Sequence, residues 1–216
     1  MPSPLGADGC RTGVWTFFTS SLEETIHLGR RLGASLLGGE VLALVGDLGS
    51  GKTALTRGIA MGAGLLDHRL VSSPTYVLEQ IYSARLEVHH YDVYRLSSPR
   101  EFVALGFEEH LGKSAVLVVE WADKVLEVLP AERLVVEIAP GAMSLGARDD
   151  QGEPGLVVWD FGERGLGTGA RRGGESGDGD SGERAFTFTG LADYWAPRLG
   201  APHAFGPTPG IRADRP

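Results

Sequence analysis

Gly46-Asp47-Leu48-Gly49-Ser50-Gly51-Lys52-Thr53 satisfies the phosphate-loop pattern G-x-x-x-x-G-K-[ST] at every fixed position. Its flanks agree with it. Val41-Leu42-Ala43-Leu44-Val45 is a continuous apolar run, the mark of a parallel strand buried on both faces. Ala54 to Met61 predicts a helix. Strand, glycine loop and helix N-terminus together form an anion site. The glycines let backbone wrap a phosphate without Cβ clashes. Loop and first-turn N–H groups then point inward at the positive end of the helix dipole. In such a loop Lys52 supplies a point charge for the β- and γ-phosphates, and the Thr53 hydroxyl can ligate Mg²⁺.

Working outward, Trp15 to Thr19 alternates weakly and reads as a first strand. Ser20 or Ser21 resembles an N-cap, with Glu23 and Glu24 where the helix dipole favours anions. Leu22, Ile26, Leu28, Leu32, Leu36 and Leu37 give that helix a broad apolar face, ending at Gly38-Gly39. Downstream, Val71 to Tyr76 is turn-like and leads into an extended run, Val77 to Tyr82. Leu86 to Tyr91 reads as its hairpin partner across Ser83-Ala84-Arg85. Pro99 to His110 predicts one helix. Ala115 to Val119 and Leu134 to Ile138 predict further strands, the former ending in Glu120-Trp121.

From Gly141 to Gly182 the chain is rich in Gly, Asp, Glu, Arg and Ser, and cannot bury enough apolar surface to fix itself. Within it Gly155 to Phe161 reads as one strand or as a partner-binding segment. Arg184 to Thr189 alternates as a strand, and Leu191 to Leu199 is a candidate helix. The expected organisation is a leader (1–13), a single domain (14–199) with a flexible insertion (141–182), and a loose tail (200–216).

The 216 residues carry a formal charge of −8 and no long Lys/Arg block, which disfavours direct, tight grip on an RNA backbone. The single cysteine, Cys10, excludes an internal disulfide framework. No apolar stretch is long enough to span a bilayer and no signal-peptide layout is present, so a cytoplasmic protein is expected.

A phosphate loop calls for a carboxylate on the metal side, at the C-terminal end of a neighbouring buried strand. Leu117-Val118-Val119-Glu120 offers Glu120, to act directly or through water. His90-Tyr91-Asp92-Val93-Tyr94-Arg95 offers Asp92, at a strand end, to orient an attacking water or hold a metal-bound one. Arg95 could contact phosphate or pair with Asp92 or Glu120. Tyr91 and Tyr94 read as packing residues. Ser72 to Thr75 could respond to a γ-phosphate as a switch segment, with Thr75 a further possible metal ligand.

The phosphate loop, Ser73-Pro74-Thr75-Tyr76, His90-Tyr91-Asp92-Val93-Tyr94-Arg95-Leu96 and Val119-Glu120-Trp121-Ala122-Asp123, in this order and spacing, resemble the TsaE (YjeE) family. Glu24-Thr25 and Leu28-Gly29 match that family's first helix. The resemblance runs from about Thr16 to Ile138 and resumes near Arg184. It implies a P-loop NTPase fold of the α/β class, with a central mainly parallel sheet, flanking helices and antiparallel additions. It implies ATP on Leu48, Gly49, Ser50, Gly51, Lys52 and Thr53, with Thr25, Trp121 and Arg184 close to the nucleotide. Mg²⁺ would sit on Thr53 and Glu120, and Asp92 would be an essential catalytic or switch carboxylate beside Lys52 and Glu120. The partners implied are TsaD and TsaB, which modify adenosine beside the anticodon of tRNA, so tRNA is met mainly through them. ATP hydrolysis would reset that complex, with no transfer of the threonylcarbamoyl group by this chain. Family members join the two last strands tersely, so the 141–182 stretch is a departure.

Two other readings use the same loop. A small-molecule or nucleotide kinase could clamp phosphate with Arg148, Arg164, Arg171 and Arg172, but the insertion lacks the apolar positions of an ordered lid. A nucleotide-gated switch, even a GTPase, is the other; no Asn-Lys-x-Asp guanine motif is present.

Overall fold

The computed structural model describes residues 12–112, 114–140, 156–160 and 184–199. Strand β1 (Thr12–Thr19) leads into helix α1 (Leu22–Ser35), β2 (Val41–Gly46) and α2 (Lys52–Gly62). The hairpin β3 (Glu79–Tyr82) and β4 (Glu87–Asp92) is followed by α3 (Pro99–Ala104), β5 (Ala115–Glu120) and β6 (Leu134–Pro140). Strands β7 (Leu156–Asp160) and β8 (Arg184–Leu191) and helix α4 (Ala192–Leu199) complete the described chain.

The strands form one sheet in the order β3-β4-β5-β2-β6-β8-β1-β7. The site-bearing centre, β4-β5-β2-β6, is parallel throughout. Antiparallel pairs add β3 on one side and β8 and β1 on the other. This is the α/β arrangement expected. β2 sits centrally because its uninterrupted apolar run is compatible with burial on both faces.

On one face pack α1, α2 and α4, with Leu28, Leu32, Leu55, Ile59, Phe186 and Trp195 fully or almost fully buried. On the other, Tyr91, Phe102, Phe107, Leu117 and Val119 form a second core. Helix α1 starts at Ser21, whose side chain accepts from Glu24 N–H at 3.1 Å while the Glu24 carboxylate reaches back to Ser20. Helices α1 and α2 touch backbone to backbone. A Cβ on Gly33 would lie 2.1 Å from Ile59 O, and one on Gly58 2.2 Å from Ile26 O.

Three expectations shift. β1 begins at Thr12, within the stretch read as leader, because its pairing with β8 continues to Thr12↔Leu191. The run from Val77 enters the sheet only at Glu79, after Leu78 takes a left-handed φ of 67°. The single helix over Pro99 to His110 is two pieces: Gly106, at φ 77°, ends α3 and opens a 3-10 turn, Phe107–His110. Within the 141–182 stretch, Leu156–Asp160 is a strand, as one reading of Gly155 to Phe161 has it, and pairs parallel with β1. Cys10, the remaining leader, the tail and Arg148, Arg164, Arg171 and Arg172 lie outside the described residues. No helix among the described residues is long and apolar enough to cross a membrane.

Candidate functional site

The loop between β2 and α2 turns on glycines that no other residue replaces cheaply. Gly49 and Gly51 have φ of 78° and 109°. Gly51 caps α2 without a side chain, leaving the first-turn N–H groups to the loop interior. Two residues from distant elements close on it. A Cβ on Gly51 would stand 3.5 Å from Arg184 Cδ and 3.8 Å from Thr25 Cγ2. Thr25 is held by hydrogen bonds to Thr19 Oγ1 (2.8 Å) and Ser21 O (3.0 Å). Arg184 lines a cleft with Asp47, Leu48, Gly49 and Ser50; Leu48 itself is largely exposed.

Lys52 is folded into this loop and buried. Its Nζ donates to Gly46 O (2.6 Å), Asp47 O (2.8 Å) and Ser50 Oγ (3.4 Å). It also lies 3.8 Å from the centre of the Trp121 ring. Burial lowers its pKa, opposed by the charges of Glu120, Asp92, Asp123 and Asp47. Trp121 reaches over the lysine from a left-handed backbone, φ 61°, rare for an aromatic residue. Its ring also packs on Tyr94, at 4.9 Å between centroids.

Glu120, at the end of β5, is 2% exposed, and both of its carboxylate oxygens are engaged. Oε2 accepts from Thr53 Oγ1 at 3.1 Å, so the two expected metal-side residues meet. Oε1 is 2.7 Å from Nε2 of fully buried His90, and His90 Nδ1 is 3.3 Å from the Tyr82 hydroxyl. The carboxylate needs a donor at Nε2, and Tyr82 can then donate to Nδ1. Burial pushes the Tyr82 phenol up to about 12, keeping it a donor. The sequence motif assigns no role to His90 or to Tyr82. Both become visible once β4 pairs parallel with β5, which aligns Asp92 with Glu120.

Asp92 is as buried as Glu120. Its Oδ2 accepts from Ser73 Oγ in a short hydrogen bond and from Thr75 Oγ1 at 2.8 Å; its Oδ1 accepts from Tyr94 N–H at 3.0 Å. The Ser72 to Thr75 segment is thus tied to the floor of the site through this one carboxylate. Arg95 does neither of the things expected of it in pairing: its guanidinium stands 5.1 Å from the Tyr76 ring, and no ion pair among the described residues joins it to Asp92 or Glu120.

The donor chemistry fits the implied groups. Loop N–H groups and Lys52 suit phosphate oxygens. Thr53 and Glu120 present oxygen, as Mg²⁺ prefers.

The family profile described as "Threonylcarbamoyl adenosine biosynthesis protein TsaE" matches residues 19–148. The chain belongs to the TsaE family. A TsaE protein of Treponema pallidum is 35% identical over 118 residues, covering 55% of this chain and 86% of the relative. One of Bacillus subtilis is 40% identical over 121 residues, covering 56% and 74%. The crystal structure of Bacillus subtilis YdiB superposes with a TM-score of 0.55 at 27% identity, covering 87% of this chain and 92% of that one. As a TsaE-family member the protein is associated with tRNA threonylcarbamoyladenosine biosynthesis. The profile ends before β7 and β8, so Arg184 enters the TsaE-type loop from beyond the matched stretch.

Proposed function

We propose that the chain is a Mg²⁺-dependent ATPase of tRNA threonylcarbamoyladenosine biosynthesis, acting in the cytoplasm on a TsaD–TsaB complex. It meets tRNA mainly through that complex and transfers no threonylcarbamoyl group. What carries this reading is the contact between Thr53 and Glu120 at the mouth of the glycine loop, backed by His90.

The residues divide the work as follows. The amides of Leu48 to Thr53 hold the phosphates, with Thr25 and Arg184 at their side. Lys52 leaves Gly46 O and Asp47 O to meet the β- and γ-phosphates, and Trp121 gives it up. Thr53 and Glu120 would hold Mg²⁺, which when bound neutralises charge on the transferring group. His90 keeps Glu120 oriented by donating to it. Asp92 places the attacking water once Ser73 and Thr75 yield its Oδ2. Lys52 and Asp92 both start with their bonds spent on protein, so turnover alone is slow, and partners that reorder 73–75 accelerate it.

The test is phosphate release from Mg·ATP by the protein alone and with TsaD–TsaB, beside Lys52→Ala and Glu120→Ala. Stimulated release lost in both variants supports the reading. Release that ignores the partners, or survives without Lys52, overturns it.

A further inference from the structure

β4 presents a second set of polar groups on the sheet face opposite His90 and Glu120, by the strand's twofold alternation. Glu79 on β3, His89 on β4 and His110 on the 3-10 turn each bring one ligand atom within 4.8 Å of the others. His89 is 1% exposed. Its Nδ1 lies 2.9 Å from Glu79 Oε1 and its Nε2 2.8 Å from Glu87 Oε1. His110 Nε2 is 3.7 Å from the same Glu79 oxygen, and its ring stacks on that of His89 at 4.1 Å. Beneath them Tyr91, paired in register with Glu79, is fully buried, and its hydroxyl lies toward Glu79 without a hydrogen bond of normal geometry.

We propose that Glu79, His89 and His110 form a binding site for a borderline divalent transition ion, Zn²⁺ foremost. Two imidazoles and one carboxylate suit Zn²⁺, whereas Mg²⁺ prefers an all-oxygen octahedron. Glu87 completes the arrangement from behind. By accepting the Nε2 proton it fixes the tautomer that leaves Nδ1 to the metal, as outer carboxylates do for ligating histidines. The ion enters between His89 Nδ1 and Glu79 Oε1, which lie 2.9 Å apart. His110, 30% exposed at its side chain, turns out of the stack to aim its Nε2 lone pair at the ion. The ion ties β3, β4 and the turn after α3 together, away from Lys52 and on the other side of the sheet. Its role is a clip on the hairpin, independent of the nucleotide chemistry proposed above.

The test is calorimetric titration of the full chain with Zn²⁺ in excess Mg²⁺, with Glu120→Gln as a control that removes only the nucleotide-side carboxylate. One tight equivalent is expected in the wild-type and Glu120→Gln proteins. His110→Ala and Glu79→Gln should each weaken it on the order of a hundredfold, and Glu87→Gln about tenfold. His110 and Glu79 are partly exposed, so both variants should keep the wild-type circular dichroism. Co²⁺ in place of Zn²⁺ should give tetrahedral d–d absorption that His110→Ala abolishes. No tight equivalent, or one that both folded variants retain, overturns the proposal.

Discussion

Lys52 cannot serve the carbonyls of Gly46 and Asp47, the Ser50 hydroxyl and a phosphate group together. Its ammonium has three protons, and in this structure they are directed at its own loop. Phosphate must therefore win it from those oxygens and from the Trp121 ring. Mg·ATP should change the Trp121 fluorescence as the cation leaves, and a Trp121→Phe protein should lose that change while keeping the signals of the other tryptophans. An unchanged emission at saturating nucleotide would mean that the lysine stays on the ring. His90 offers a second test. Removing it strands Glu120 Oε1 in a buried setting, at a cost of about 1–3 kcal/mol. His90→Ala should lower the urea midpoint accordingly, and His90→Gln, which can still donate, should recover part of it. At Asp92, Asn substitution keeps the volume but weakens charge-assisted bonds to Ser73 and Thr75. Partner-stimulated phosphate release should fall on the order of a hundredfold, with Mg·ATP affinity within about threefold of wild type. Equal losses in both would make Asp92 a binding residue.

At the scale of elements, the pair α1 and α2 is set by glycine, not by leucine alone. The helices approach so closely that a methyl group on Gly33 or Gly58 would meet a carbonyl oxygen of the facing helix. Relieving contacts of 2.1 and 2.2 Å needs a separation of more than about 1 Å, which would shift the N-terminus of α2, carrying Lys52 and Thr53. Gly33→Ala should lower stability by about 1–3 kcal/mol in urea unfolding. The usual gain from Gly to Ala in a helix is smaller, about 1 kcal/mol, so it does not reverse the sign. A stabilised Gly33→Ala protein would show that the helices separate freely. The two pieces of the expected Pro99 to His110 helix follow similar logic. Gly106 at positive φ turns the chain so that Phe107 stacks on Phe102, at 4.4 Å between ring centres.

For the whole molecule, the long segment between β6 and β8 joins strands that are already neighbours. Pro140 and Arg184 are direct antiparallel partners, so a short hairpin turn can replace residues 141–183. Loop closure contributes weakly to stability at such lengths, changing by about 0.6 kcal/mol for each doubling. The shortened protein should fold, unfold cooperatively, and bind Mg·ATP within about threefold of wild type; its lost pairing is that of β7 with the edge of β1. Failure to fold would give β7 a structural part that its edge position does not suggest.

The sequence by itself determined the glycine loop, its flanking strand and helix, and the candidate carboxylates Glu120 and Asp92. These are local signals: an apolar run, residues tolerant of positive φ, acids at strand ends. Thr25, Trp121 and Arg184 were legible through family resemblance, since nothing in their own neighbourhoods marks them. Only the tertiary structure decided that His90 and Tyr82 back Glu120, that Ser73 and Thr75 bond Asp92, and that Arg184 stands beside Gly51. It also decided that Arg95 turns to Tyr76, and that His89, one residue from His90, serves a different cluster. The physical reason is sheet pairing. Register and the alternation of side chains choose which distant residues share a face, and no local pattern carries that choice.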